Sequence, residues 1–222
     1  MILKYGVRLM RQGLFITFEG IDGCGKSLMA AMTQTWLVEN GYEVLATLEP
    51  GGSDLGKVFR QMLLDSSYGS VDSHTETLLF MVDRSRHVTD VIRPALANGK
   101  IVLCDRYIDS TIAYQGGGRG LDIDELTRLN DFAINGVYPD LTIYLSLPIE
   151  QAMQRIPGTK DRLEQENVEF FARVAATYDQ LADQYPHRIQ RIDASGSPQD
   201  VFALVQTAIG TLFKDRGRIY RG

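Results

Sequence analysis

Eight consecutive residues make the chain's clearest chemical statement. In Gly20-Ile21-Asp22-Gly23-Cys24-Gly25-Lys26-Ser27 two glycines bracket four residues, and a lysine and a hydroxyl follow. This is the G-x-x-x-x-G-K-[ST] spacing, in which glycines let backbone N–H groups wrap phosphate oxygens. A helix beginning at the lysine adds positive potential at the same place. Lys26 reaches the β- and γ-phosphates in such a loop, and the Ser27 hydroxyl ligates Mg²⁺. A nucleoside triphosphate is therefore the first expected partner, bound along residues 20–27. Cys24 reads as a small spacer in the loop rather than a redox switch.

The loop alone does not say what happens to the phosphates. A guanine-specific switch wants an N-K-x-D run, and the chain has none. A motor ATPase wants a water-positioning group and a partner. A kinase wants a second anion site, with its own cations, beside the first. Three further stretches offer that. Asp105 ends an apolar run, where its carboxylate can hold Mg²⁺ or the waters on it, and Arg106-Tyr107 follow at once. Glu49-Pro50-Gly51-Gly52-Ser53 is a tight turn after another apolar run. Phe80 and Arg84 are four residues apart, so they share one face of a helix that also carries Asp83 and Arg86. His74, His87 and His187 read as solvated surface residues.

These residues need a scaffold, and the hydrophobic pattern describes one. Leu14–Phe18, Val44–Leu48, Ile101–Cys104, Leu141–Leu147 and Ile189–Ile192 are short apolar runs that predict strands. Between them lie helical periodicities. Leu28, Met32 and Trp36 mark a first helix ending at Asn40-Gly41. Ser73 to Glu76 is a capping-box pattern opening a long helix through Leu79, Val82 and Ile92, which Pro94 should kink or restart. Asp122 to Glu125 opens another, stopping at Asn135-Gly136. Phe171, Val174, Tyr178, Leu181 and Tyr185 mark a long amphipathic helix. Ser197-Pro198 starts the last, with Val201, Leu204, Val205, Ala208 and Leu212 inward. Apolar strands alternating with helices predict a five-stranded parallel sheet covered by helices on both faces, the three-layer α/β class. The expected organisation is one domain over 13–213. It has an N-terminal extension at 1–12, a movable basic lid at about 154–163 and a tail at 214–222.

Composition narrows the partners. The chain has 222 residues, 28 acidic against 23 basic, and a formal net charge of −5. That balance argues against polymeric nucleic acid and against an anionic membrane surface. No apolar run approaches the roughly 18 residues of a membrane span. Two cysteines, Cys24 and Cys104, make no disulfide framework and predict a reducing compartment, the cytoplasm. The cations are lopsided, 17 Arg to 6 Lys, and ten of the 21 glycines fall in residues 20–25, 51–56 and 116–120. Arg excess and clumped glycine both suit phosphate handling.

Taken together, the motifs resemble those of bacterial thymidylate kinases, in the P-loop nucleoside-monophosphate kinase family. Those that carry the likeness are Phe18-Glu19-Gly20 through Ser27, Glu49 to Ser53, Leu79-Phe80 with Asp83-Arg84, Asp105 to Gly116, Tyr138 to Leu141 and Asp161 to Glu164. The resemblance runs from about Gly13 to about Phe213. It implies transfer of the ATP γ-phosphoryl group to dTMP, with Mg²⁺, in a homodimer packed through helices. It also implies that Arg60 and Arg106 hold the acceptor phosphate and that Phe80 stacks on thymine. Arg84, Thr111 and Gln115 would read the polar edge of the base. Tyr114 would crowd a ribose 2′-OH, Asp22 would meet the sugar 3′-OH or a metal-bound water, and Glu49 would lie near the acceptor. Lys26, Asp22, Arg106, Arg162 and Asp105 form the expected catalytic group, and Ser27 with Asp105 the expected Mg²⁺ ligands. The chain departs from its likeness at Leu48, where many members have Arg, and at Gly23-Cys24, where some carry an Arg. Arg162, then Arg155, is the expected lid cation at the transferring phosphoryl group. The alternatives are a related kinase for dUMP or a purine monophosphate, and a non-catalytic nucleotide-binding protein.

Overall fold

The apolar runs build a sheet whose inner strands have no polar face. The computed structural model describes residues 13–65, 69, 71–155, 163 and 165–217. The strands β1 (Leu14–Glu19), β2 (Val44–Leu48), β3 (Ile101–Asp105), β4 (Leu141–Ser146) and β5 (Ile189–Asp193) are all parallel, in the order β2-β3-β1-β4-β5. Every residue of central β1 is buried, whereas edge strands β2 and β5 expose part of their length. Successive side chains of the inner strands feed two separate cores. Leu14, Ile16, Phe18, Ile101 and Leu103 pack on one face, and Phe15, Val102 and Cys104 on the other. Burying a Phe or Ile side chain this fully is worth roughly 2–3 kcal/mol relative to exposure.

The first core is covered by α1 (Lys26–Glu39), α8 (Val168–Gln184) and α9 (Pro198–Asp215). The second lies under a long helical stretch and α6 (Ile123–Ile134). That stretch is α3 (Ser73–His87), a wide π turn at Val88–Ile92, then α4 (Arg93–Ala97), so the helix restarts at Pro94 as its sequence predicts. The remaining helices are α2 (Asp54–Leu64), α5 (Ile108–Thr111) and α7 (Ile149–Arg155), and a second π segment spans Ile112–Gly118. From β1 the chain crosses towards β2, and from β3 it crosses back over β1 to β4. The crevice at the carboxyl ends of β1 and β3 is therefore the topological switch point, where open α/β sheets bind ligands. Phe18 pairs with Asp105 there, and Arg106 N–H donates to the Phe18 carbonyl at 3.0 Å.

Several side chains face differently from their predicted directions. α1 buries Met29, Thr33 and Leu37 rather than Leu28, which is half exposed; Met32 and Trp36 pack at the flank, Trp36 edge-on to Phe202 of α9. The phosphate-loop geometry fixes where α1 starts, and that start sets which face meets the sheet. The inner face of α9 is Val201, Val205, Ile209 and Phe213, with Leu204 half exposed. Asp72, not Ser73, caps α3, accepting from the N–H groups of His74 and Thr75 at 3.0 Å. This leaves Glu76 buried instead of completing a capping box. The third glycine cluster packs against neighbouring helices. A Cβ at Gly117 would lie 2.0 Å from Thr177 Oγ1, so these glycines let the π segment close against α8. The predicted extension at 1–12, most of the lid, including Arg162, and the tail beyond 217 lie outside the described residues.

Candidate active site

Glu19 ends β1 behind the phosphate loop and anchors what lies in front of it. Its buried carboxylate accepts from Tyr107 N–H at 2.7 Å, Ser110 Oγ at 2.6 Å and Tyr178 OH at 2.8 Å. Burial, then the nearby Asp109 charge, pushes its pKa up. The loop turns over it. Gly23 has φ +81°, and a Cβ there would sit 2.2 Å from the Ala152 carbonyl of α7, so the position excludes any side chain. Cys24 is buried, as a spacer would be, and burial raises its thiol pKa. Lys26 Nζ donates to the Ile21 carbonyl at 2.9 Å and stands 3.6 Å from Asp22 Oδ1. Ser27 Oγ donates to Asp105 Oδ2 at 2.5 Å.

Arg106 sits at the junction of the β1 and β3 ends with φ 69°, left-handed for a non-glycine. Such strain costs about 1–3 kcal/mol and concentrates at functional sites. Its guanidinium donates to the Gly20 carbonyl at 3.1 Å, to Tyr114 OH at 3.0 Å and to Asp22, and lies 4.8 Å from the Tyr114 ring centre. Tyr114 OH in turn donates to Asp22 Oδ2 at 3.0 Å. Burial alone would raise the Asp22 pKa, but Arg106 and then Lys26 hold it well below the usual carboxylate range. Asp22 is thus an ionised hinge between the loop lysine and Arg106.

The second wall of the crevice is α3 docked onto the turn at 49–53. Arg84 is fully buried. Its Nε donates to Glu49 Oε2 at 2.8 Å, Nη1 to Thr111 Oγ1 at 2.8 Å and to Asn130, and Nη2 to the Tyr107 carbonyl at 2.9 Å. Among the described residues these bonds use four of its five N–H groups. His87, one turn on, is completely buried, which corrects its reading as a solvated residue. Its Nδ1–H donates to Glu49 Oε1 at 2.9 Å, and Nε2 meets Thr47 Oγ1 at 2.7 Å. A Cβ on Gly52 would lie 2.3 Å from that ring, so the turn rests directly on it. His74 and His187 are exposed, as expected. Asp83 Oδ1 accepts from Gly51 N–H at 3.1 Å, while Oδ2 is buried with no partner among the described residues. Burial, then the Glu49 charge, pushes the Asp83 pKa up to about 7. Arg60 of α2 reaches the same turn, donating to the Pro50 carbonyl at 2.8 Å.

One cavity of about 840 Å³ joins these walls. Gly23 to Ser27, Asp22, Asp105 and Arg106 line its phosphate-loop side. Glu49, Arg60, Phe80, Arg84, Thr111, Tyr114 and Gln115 line the other, and Arg155 and Leu48 border it. Gly20 and Ile21 shape the loop without lining the cavity. The sequence reading missed Ala194, Gly196 and Pro198, which line the cavity after β5, because a short polar loop carries no motif. It placed none of Glu19, Glu76, His87 and Asn130 among the site residues. Buried polar residues on apolar-patterned elements are their only sequence signal. Among the described residues no three His, Cys, Asp or Glu cluster as a metal site, and no helix is long and apolar enough to cross a membrane.

The chain that builds this cavity at the switch point has counterparts among known proteins. The family model described as thymidylate kinase matches residues 18–205. The thymidylate kinase of Desulfovibrio desulfuricans is 44% identical over 92% of this chain and 99% of its own length. That of Limosilactobacillus fermentum is 43% identical over 91% and 97%. A crystal structure of thymidylate kinase from Ehrlichia chaffeensis superposes with a TM-score of 0.76 at 35% identity, covering 89% of this chain and 98% of that one. With the match spanning both walls of the cavity and nearly the full length of these relatives, the chain belongs to the thymidylate kinase family.

Proposed function

We propose that this chain transfers the γ-phosphoryl group of ATP to dTMP, giving ADP and dTDP, with the two nucleotides meeting end to end in the one cavity. The observation that carries the reading is that the loop at 22–27 and the side chains of Phe80, Arg84, Thr111 and Gln115 line the same cavity. Phosphoryl transfer needs positioning and charge neutralisation more than covalent help. In this reading the loop N–H groups of residues 20–27 and Lys26 hold the donor phosphates, and the loop at Ala194 to Pro198 borders the donor base. Arg106 and Arg60 hold the acceptor phosphate. Phe80 stacks on the base, while the fifth N–H of Arg84, the Thr111 hydroxyl and the Gln115 amide read its edge. Tyr114, fixed by Asp22 and Arg106, closes off the space beside the sugar C2′ and so favours the deoxy form. Asp22 orients Arg106, and Glu49 holds Arg84. Arg155 and Arg162 are the lid cations for the transferring group.

Mg²⁺ fits the pair Ser27 and Asp105, whose hydroxyl and carboxylate oxygens lie side by side. These are hard oxygen donors of the kind Mg²⁺ takes, one or two from protein with the rest from phosphates and water. The ion would supply charge neutralisation across the donor phosphates. A homodimer is part of the proposal. Leu78 and Val82 of α3, Leu55 and Val58 of α2 and Phe132 of α6 are exposed on neighbouring helices, Phe132 by 87%. Phe132→Glu should convert a dimer to monomer in light scattering. Both cysteines are free and buried, which suits the reducing cytoplasm. The test of function is ADP release in a coupled assay. It should require dTMP, and ATP turnover that stays at background with saturating dTMP would overturn the reading.

A further inference from the structure

Gln115 faces the cavity, yet one half of its amide is already committed. Its Nε2 donates to Glu76 Oε1 at 2.8 Å, and both groups are buried. Glu76 is in turn gripped by Arg119, whose Nε reaches Oε1 at 3.3 Å and whose Nη2 reaches Oε2 at 3.1 Å. Arg119 is itself fixed from its other side. Its Nη1 donates to Glu166 Oε1 at 2.5 Å, and its guanidinium lies 4.9 Å from the Phe170 ring centre.

A carboxylate only accepts hydrogen bonds. If the Gln115 amide turned over, its Oε1 would face a Glu76 oxygen at hydrogen-bond distance with no proton between them. Glu76 therefore fixes which end of the amide is oxygen and which is nitrogen, and what remains for a ligand is Oε1 and one N–H in a set order. That order matters for one discrimination above others. Thymine and uracil carry a carbonyl at C4 and an N–H at N3. Cytosine carries an amino group and a bare nitrogen, the same edge with donor and acceptor exchanged. We infer that Glu76, held by Arg119, is a positioning residue that sets the amide polarity of Gln115 and thereby makes the acceptor site reject cytosine. The inference rests on the proposed role of Gln115 in reading the base.

Glu76→Gln tests it with almost no change of shape. Arg119 reaches both oxygen positions, so the new side chain can turn either its oxygen or its NH₂ to Gln115, and the amide polarity of Gln115 is no longer fixed. The measurement is kcat/KM for dTMP, dUMP and dCMP by coupled ADP release. The dTMP:dCMP ratio should fall about tenfold or more, the size expected when a buried polar site loses its match to one substrate. The dTMP:dUMP ratio should stay within twofold, since those bases share this edge. Arg119→Gln is the second variant and guards against misfolding of the first. It removes the guanidinium that holds both Glu76 oxygens in place, so Glu76 no longer fixes the amide, and it should narrow the same ratio. Equal losses on all three substrates in both variants would mean a merely structural role and overturn the inference. Gln115→Leu separates the two levels. If it keeps the dTMP:dCMP ratio, the base-reading role of Gln115 fails. If it lowers the ratio and the Glu76 and Arg119 variants do not, only the inference about Glu76 fails.

Discussion

Replacing His87 by alanine removes a ring that no water reaches. Two hydrogen bonds go with it, one to Glu49 at 2.9 Å and one to Thr47 at 2.7 Å. Each is worth about 1 kcal/mol net, and a carboxylate left short of a partner costs about 1–3 kcal/mol more. The ring also supports the 49–52 turn through Gly52, so its loss opens a cavity. Truncating a buried aromatic side chain typically costs about 3–5 kcal/mol, and part of that overlaps the bonds already counted. A total of about 4 kcal/mol lowers the melting temperature of a chain this long by roughly 8–16 °C. Because Glu49, which holds Arg84 through Oε2, then loses the partner that fixes its Oε1, the KM for dTMP should rise as well. Thermal melts by circular dichroism and steady-state kinetics measure both. His74→Ala and His187→Ala, at exposed positions, should stay within about 0.5 kcal/mol of the parent. If His87→Ala melts no lower than those two, the buried-pillar reasoning is wrong.

Arg106→Ala should lower kcat/KM by a factor of 10³ or more, roughly the scale of losing a guanidinium at a transferring phosphate, and Lys100→Ala should not; comparable small losses would refute the Arg106 placement. Gly23→Ala should abolish ATP binding measured by calorimetry, since its Cβ would fall 2.2 Å from the Ala152 carbonyl; near-normal binding would mean that α7 yields there. Asp83 supplies a pH test. Its pKa is raised from 3.8 to about 7, so between those values the folded chain holds a proton that the unfolded chain has released. Its contribution to stability is intact below about pH 4 and is lost as pH rises towards 7, by about 2–4 kcal/mol in all. Asp83→Asn should therefore gain stability over the parent in denaturant melts at pH 8 and match it near pH 4; the same gain at both would refute the linkage.

The fold was legible because its signals are local. Apolar β1, the Asp122 and Ser197 caps and the Asn135-Gly136 stop all act within a few residues of themselves. So was the phosphate loop, whose eight residues are contiguous. The inward face of α3 was not, and the reason is physical. Its inward face carries Glu76, Thr77, Asp83, Arg84 and His87, while Leu78 and Val82 point out. Hydrophobic periodicity assumes that apolar means inside. Here the inside is a polar site wall. Asp83, Arg84 and His87 all dock on the turn at 49–52, 30 or more residues earlier, and no local pattern encodes such partners.

Ion pairs on both walls account for a net charge of −5 in a chain that handles anionic substrates. Three cations of the site and its rim come with a buried or half-buried carboxylate: Arg106 with Asp22, Arg84 with Glu49, Arg119 with Glu76. A guanidinium taken from water without such a partner would cost several kcal/mol, and one on a free stem would have no fixed direction. The carboxylates cancel charge in the chain's total while fixing where the remaining N–H groups point. Preorganised donors aimed at a developing charge do more for transfer than a larger but mobile positive field. Composition therefore underestimates this site for a definite reason. Arg106 and Arg84, which line the cavity, are each held by an acid behind them, so the sum is blind to what the geometry separates. Exchanging the acid for its amide, as in Glu49→Gln, should then impair dTMP turnover although it makes the pocket more positive. A gain in kcat/KM from that change would show that raw charge, not direction, governs the site.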